Sequence, residues 1–146
     1  MKYGNMDVAI EYCKRGKTEE WVQLFLRNDG NNIVLADGLL KETRLYTEII
    51  DFDIKLLDNI KPGPPEYLSQ KNDIDYFFYK VDSMKNDMEG WNPPPLIIEY
   101  RSNGTFYVCD GRHRLELYRQ IGSTKIPAII WATDTEDFEK LKEIIK

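Results

Sequence analysis

Apolar residues recur at helical spacing through the first third of the chain: Val8, Ile10, Tyr12 and Cys13 precede Gly16, and Trp21, Leu24 and Phe25 follow Thr18. This spacing predicts two short helices, the second capped by Thr18 and opened by Glu19 and Glu20, whose charge suits the partly positive amino end of a helix. A third short helix is expected over 33–40, weakened by Gly38. From Tyr46 to Ile54 the pattern becomes strand-like, through Ile49, Ile50 and Phe52. The cluster Lys61-Pro62-Gly63-Pro64-Pro65 can continue neither a helix nor a central strand, so it is read as a loop. A longer helix follows over 73–88, with Phe77, Val81 and Met84 near one face. Tyr76, Phe77, Phe78 and Tyr79 are too dense for a single face, which makes one or two of these rings candidates for a ligand pocket or a partner contact.

The last third carries the sharpest pattern. Three prolines at 93–95 precede an apolar strand over 96–100, Ser102-Asn103-Gly104 supplies a turn, and a second strand over 105–109 completes a β-hairpin. Asp110 and Gly111 end the hairpin. A helix then runs to Ile121 with Gly122 as its carboxyl stop, followed by a strand over 125–131 and a closing helix over 135–146. There is no internal repeat or low-complexity tract. This mixture of elements predicts an α/β or α+β domain.

A chain of 146 residues with 42% hydrophobic and 12% aromatic content is enough for one compact core, which excludes a disordered tail. No apolar run reaches the roughly 18 residues of a membrane span. The amino end also lacks the apolar stretch of a signal peptide, so a cytoplasmic protein is expected. A formal net charge of −5 opposes nonspecific binding to duplex DNA, where counterion release rewards basic surfaces. Arg101, Arg112, Arg114 and Arg119 against Asp110 and Glu116 nevertheless make one stretch locally basic. Cys13 and Cys109 have no CxxC spacing and His113 is the only histidine, so no metal site is expected from them. Both thiols are read as inert, and Trp21, Trp91 and Trp131 as packing residues, since no basic residues interleave with them.

Candidate chemistry concentrates at Asp110-Gly111-Arg112-His113-Arg114, where a strand gives way to a helix. Three potential cations stand at a helix start whose own partial charge disfavours each by roughly 0.3–1 kcal/mol. A glycine there lets the backbone turn sharply and brings unpaired amide hydrogens toward whatever lies at the helix start. Phosphate suits that position: Arg112 and Arg114 can add charge-assisted bonds to its oxygens, His113 can donate another, and the anion would offset the placement of the cations. The competing reading is that the arginines pair with some of the chain's 25 carboxylates while His113 packs at the surface. Asp110 likewise reads either as an N-cap or Asx-turn residue beside Gly111 or as a functional carboxylate.

This box, the apolar helix behind it and the strand Ile126-Pro127-Ala128-Ile129-Ile130 resemble the core of the ParB/sulfiredoxin superfamily. The resemblance covers roughly residues 47–131. It implies a small mixed sheet flanked by helices over 46–146, with residues 1–45 as an amino-terminal helical extension, and nucleotide or phosphate binding at Gly111, Arg112, His113 and Arg114. The sulfiredoxin branch reads Gly-Cys-His-Arg, with a cysteine that attacks an oxidised peroxiredoxin. Arg112 stands in that place and Cys109 comes three positions too early, which speaks against sulfinic reduction. That branch also uses Lys-x-x-Ser on the preceding helix to contact the nucleotide, matched by Lys80 and Ser83. The chromosome-partitioning branch reads Gly-Glu-Arg-Arg and continues into DNA-binding and dimerisation domains. Arg112 replaces that glutamate and too little chain follows the last strand for those domains, so centromere-like DNA binding is not expected.

The free-serine-kinase branch reads Asp-Gly-x-His-Arg, which Asp110 to Arg114 fits best. It implies ATP or another nucleotide, with magnesium, and a catalytic pair made of Asp110 and a separate glutamate, for which Glu66 in the proline loop is the candidate. Phosphoryl transfer needs positioned phosphates, charge neutralisation and a carboxylate to orient or deprotonate the nucleophile. Arg112, His113, Arg114 and Lys80 suit the first two tasks, and Asp110 suits the third or the holding of magnesium. The expectation is a nucleotide- or phosphate-binding domain, with ATP- or ADP-dependent phosphoryl transfer to a small hydroxyl compound as its enzymatic form. The alternative is a noncatalytic nucleotide-sensing or protein-interaction module; a nuclease is the weakest reading.

Overall fold

The computed structural model describes residues 2–146. Its elements are α1 (Met6–Lys14), α2 (Thr18–Arg27), α3 (Ile33–Leu39), β1 (Leu45–Tyr46), β2 (Ile50–Asp53), a 3-10 turn (Ile54–Leu57), α4 (Lys71–Asp87), β3 (Leu96–Tyr100), β4 (Phe106–Asp110), α5 (Arg112–Gln120), β5 (Lys125–Ala132) and α6 (Thr135–Ile144). The strands make one mixed sheet. β5 is parallel to β3 on one side and antiparallel to both β1 and β2 on the other, and β4 pairs antiparallel with β3. This is the α+β domain, a mixed sheet flanked by helices, that the sequence predicts.

Apart from Glu99 and the leading Lys125, β3 and β5 are apolar throughout, because both of their faces are covered. Leu96, Ile98, Ile126 and Ile130 face one core together with Leu115 and Tyr118 of α5 and Leu141 of α6. The alternating residues Ile97, Ile129 and Trp131 face the other core, against Ala9 and Cys13 of α1, Trp21 and Phe25 of α2, and Ala36 and Leu39 of α3. The helices within residues 1–45 thus make a full layer of the sandwich. α4 packs on α5, burying Phe77 and Val81 against Leu117. No helix among the described residues is long and apolar enough to cross a membrane.

Two irregularities depart from the regular strands expected. The strand read over Tyr46 to Ile54 is split, and Thr47 bridges the gap: its N–H donates to the Ile130 carbonyl at 2.8 Å and its hydroxyl accepts the Ile130 N–H at 3.0 Å. The backbone groups of β5 stay satisfied although the neighbouring strand is broken. In the hairpin, Ile98 pairs with Val108 but Ile97 pairs with Asp110, so Cys109 is an extra residue, a β-bulge. Directly paired residues share a face. The bulge therefore moves Asp110 to the Ile97 side of the sheet, toward α2 and α3; unbroken alternation would keep it on the face of Phe106 and Val108.

Ile97, Ile129 and Trp131 are 0%, 0% and 5% exposed beneath the first three helices. Burying a side chain of that size contributes roughly 1.5–3 kcal/mol, so uncovering the three costs about 5–9 kcal/mol. That is comparable to the whole net stability of many domains. A fragment over 46–146 is therefore expected to aggregate or to melt without a cooperative transition in circular dichroism; a monodisperse, sharply melting fragment is the contrary outcome.

Candidate functional site

β4 passes into α5 through Gly111, whose φ of 118° lies in the left-handed region. A Cβ at this position would stand 2.8 Å from Leu96 Cγ and 3.0 Å from Arg114 Nη2, so space as well as backbone geometry requires glycine. The tight turn sets the first turn of α5 directly beside Asp110.

The three potential cations of the box have three different surroundings. Arg114 is only 6% exposed. Its Nη2 donates to Asp110 Oδ2 at 3.3 Å and to the Pro95 carbonyl at 3.2 Å, and its guanidinium carbon lies 5.7 Å from the centre of the Phe25 ring. Its buried Nε has no hydrogen-bond partner among the described residues. Arg112 turns to the proline loop, where Nη2 donates to the Gly63 carbonyl at 3.4 Å. His113 stacks on Phe77 with ring centres 4.6 Å apart. Burial, reinforced by the charges of Lys80 and Arg114 and opposed by Asp110, lowers its pKa to about 4, so it is neutral at pH 7. The amino end of α5 therefore meets a carboxylate–guanidinium pair and a neutral imidazole, and much of the apparent conflict with the helix dipole disappears.

A cavity of about 480 Å³ opens at this junction, within the range of small-molecule sites. Asp110, Gly111, His113 and Arg114 form one wall. The facing wall is a single stripe of α4, in which Tyr76, Tyr79, Lys80, Ser83, Met84 and Asp87 recur at helical spacing. The loop between α2 and α3, with Asp29, Asn31 and Asn32, closes a third side. Lys80, Ser83, Asp110, Gly111, His113 and Arg114 are thus brought together. Arg112 and Glu66 do not line the cavity: Glu66 lies exposed in the proline loop, 3.8 Å from Lys61.

Several cavity residues escape a reading of local pattern. Asn32 Nδ2 donates to Asp110 Oδ1 at 3.4 Å, which leaves that carboxylate held from two sides. Asp29 accepts N–H groups from Tyr3, at 2.8 Å, and from Gly4, whose carbonyl accepts Trp91 Nε1 at 2.7 Å. Asp87 has neither an ion pair nor a side-chain hydrogen bond among the described residues, although its spacing from Lys80 and Ser83 was a usable signal. The other signal was Asn28-Asp29-Gly30-Asn31-Asn32, a run of residues suited to turns, in which Asn31 adopts a φ of 48°. Cys109 is close in sequence to the box, but burial pushes its thiol up to about 12, so it stays protonated and is no nucleophile at pH 7. Among the described residues no three His, Cys, Asp or Glu side chains gather as a metal-ligand set.

Because His113 is the only histidine, its imidazole signals in NMR are unambiguous. They are expected to titrate near pH 4 instead of the ordinary 6.5. As pH falls below 6.5 the unfolded chain takes up this proton before the folded one does. Folding stability should therefore decline between about pH 6.5 and 4, and His113→Gln should flatten that part of the urea-midpoint profile. A midpoint at the ordinary value would remove the assignment of a lowered pKa to His113. No family model matches the chain, and a search of the curated proteins returned no match.

Proposed function

We propose that the cavity binds a nucleotide or related phosphate ligand, in a domain of ParB/sulfiredoxin kind. The observation that carries this reading is the convergence of Lys80, Ser83, Gly111, His113 and Arg114 from two separate segments on one cavity at the start of α5. The first N–H groups of a helix have no partner within it and favour an anion there. Lys80 has no carboxylate partner among the described residues, Ser83 offers a hydroxyl, and the Arg114 guanidinium adds positive charge to the same wall. Neutral His113 can donate one N–H to a phosphate oxygen. Arg112 has a different task in this reading: with Glu116, which accepts the Gly63 N–H at 2.7 Å, it holds the proline loop against α5.

The enzymatic form has an observation in its favour, since Asp110 and Asp87 line the same cavity. Asp110 is fixed by Arg114 and Asn32, whereas Asp87, which has no such partner among the described residues, can orient a hydroxyl or take its proton, standing in for Glu66 as the second carboxylate of the pair. Magnesium is compatible with this donor set: Asp87 and the ligand's phosphate oxygens can hold it, and bound there it would neutralise phosphate charge. A noncatalytic sensor would need the donors but not the second carboxylate.

Melting the protein with ATP, ADP, CTP or GTP, with and without magnesium, tests the binding reading. Ligand at about 100 times its Kd stabilises the folded state by roughly 2.7 kcal/mol. For a chain of this length that raises Tm by about 5–10 °C. Lys80→Ala should abolish the rise, and a flat response to every nucleotide would dismiss the proposal. The enzymatic form is tested by 31P NMR of transfer from ATP to small hydroxyl compounds. Asp87→Asn should slow it about 10²–10⁴-fold while nucleotide binding persists; transfer at the wild-type rate would exclude Asp87 from the chemistry.

A further inference from the structure

The aromatic run on α4 divides into two pairs. Phe77 and Phe78 turn inward and pack with Val81 and Leu117, whereas Tyr76 and Tyr79 are 60% and 67% exposed and line the cavity. The two tyrosine rings stand side by side, their centres 6.2 Å apart and their planes 23° from parallel. Packing accounts for the phenylalanines but leaves the tyrosine faces in water. The Lys80 ammonium lies 5.9 Å from the centre of the Tyr76 ring, so the aromatic surface and the cation that would meet a phosphate are neighbours on one helical face.

The stripe is ordered along the helix axis. The rings come first, Lys80 and Ser83 follow, and Asp87 closes it, eleven residues and about 16 Å from Tyr76 at 1.5 Å per residue. An inorganic phosphate or a sugar phosphate would use only the middle of this arrangement. A ligand with a flat aromatic group joined to phosphates would use both the rings and the polar centre. We infer that Tyr76 and Tyr79 are the stacking platform for the base of a nucleotide whose phosphates lie between Lys80, Ser83 and the start of α5. This inference rests on the phosphate-site reading above and extends it to the ligand's other end.

Stacking uses the ring faces and tolerates any base, though a purine offers the larger surface. The platform thus distinguishes a nucleotide from a bare phosphate and favours ATP and GTP over CTP. The tyrosine hydroxyls have no necessary part in it.

Calorimetric titration of ATP and of tripolyphosphate, both with magnesium, separates the two layers of inference. Replacing both rings, Tyr76→Ala with Tyr79→Ala, is expected to weaken ATP binding at least about fivefold, the low end for loss of a base–aromatic stack. Tripolyphosphate affinity should stay within about twofold, since its contacts lie at Lys80 and α5, and Tyr76→Phe with Tyr79→Phe should keep wild-type ATP affinity. Unchanged ATP binding in the alanine variant, or equal losses for both ligands, would overturn the platform and leave the phosphate site standing. A wild-type protein that binds neither ligand would overturn the phosphate site and the platform with it.

Discussion

β3 and β5 lie side by side and have no polar face between them, and the rest of the molecule is arranged to satisfy that condition. Each face needs a helical layer, which α5 and α6 provide on one side and α1 to α3 on the other. Covering Ile97, Ile129 and Trp131 brings the loop between α2 and α3 up to the end of β4, where Asn32 reaches Asp110. α4 lies outside, on α5. The cavity is the space left where these three parts meet, so its shape follows from how the sheet is covered.

α5 serves two purposes through two of its faces. Arg112, Glu116 and Arg119 recur at helical spacing and hold the segment from Leu57 to Gly63 through backbone groups, Arg119 donating to the Leu57 and Ile60 carbonyls at 2.9 and 2.8 Å. His113 and Arg114 point to the cavity. The basic stretch is therefore no uniform patch: two of its arginines act as clamps on the fold. Arg114 is the costly member, since removing a guanidinium from water is tolerable only with a carboxylate and further acceptors close by. Asp110 and the Pro95 carbonyl provide them, and the bulge at Cys109 is what turns Asp110 to the correct side.

In the proposed complex the two walls have complementary tasks. The start of α5 presents donors held by burial and hydrogen bonds, which need little reorganisation to receive an anion. The α4 stripe presents exposed rings, an ammonium and a carboxylate, the two charged groups having no ion-pair partner among the described residues. In that reading one wall fixes charge and the other recognises the rest of the ligand.

Local periodicity and turn chemistry, read from the sequence alone, determined the helices before Leu40, the hairpin around Ser102-Asn103-Gly104, the helix after Gly111 with its stop at Gly122, and the strand and helix that close the chain. They also marked Gly111 as the pivot of the candidate site, because the demand for a left-handed residue between strand and helix is local. Tertiary structure alone decided that Thr47 would break a strand by bonding Ile130, 83 positions away, and that a bulge would carry Asp110 across the sheet to Asn32, 78 positions away. It also decided that Asp87 lines the cavity while Glu66 and Arg112 lie elsewhere. Spacing along a chain reports which face of an element a residue occupies, but the partner it meets depends on register and packing between distant segments, and no local pattern contains that information.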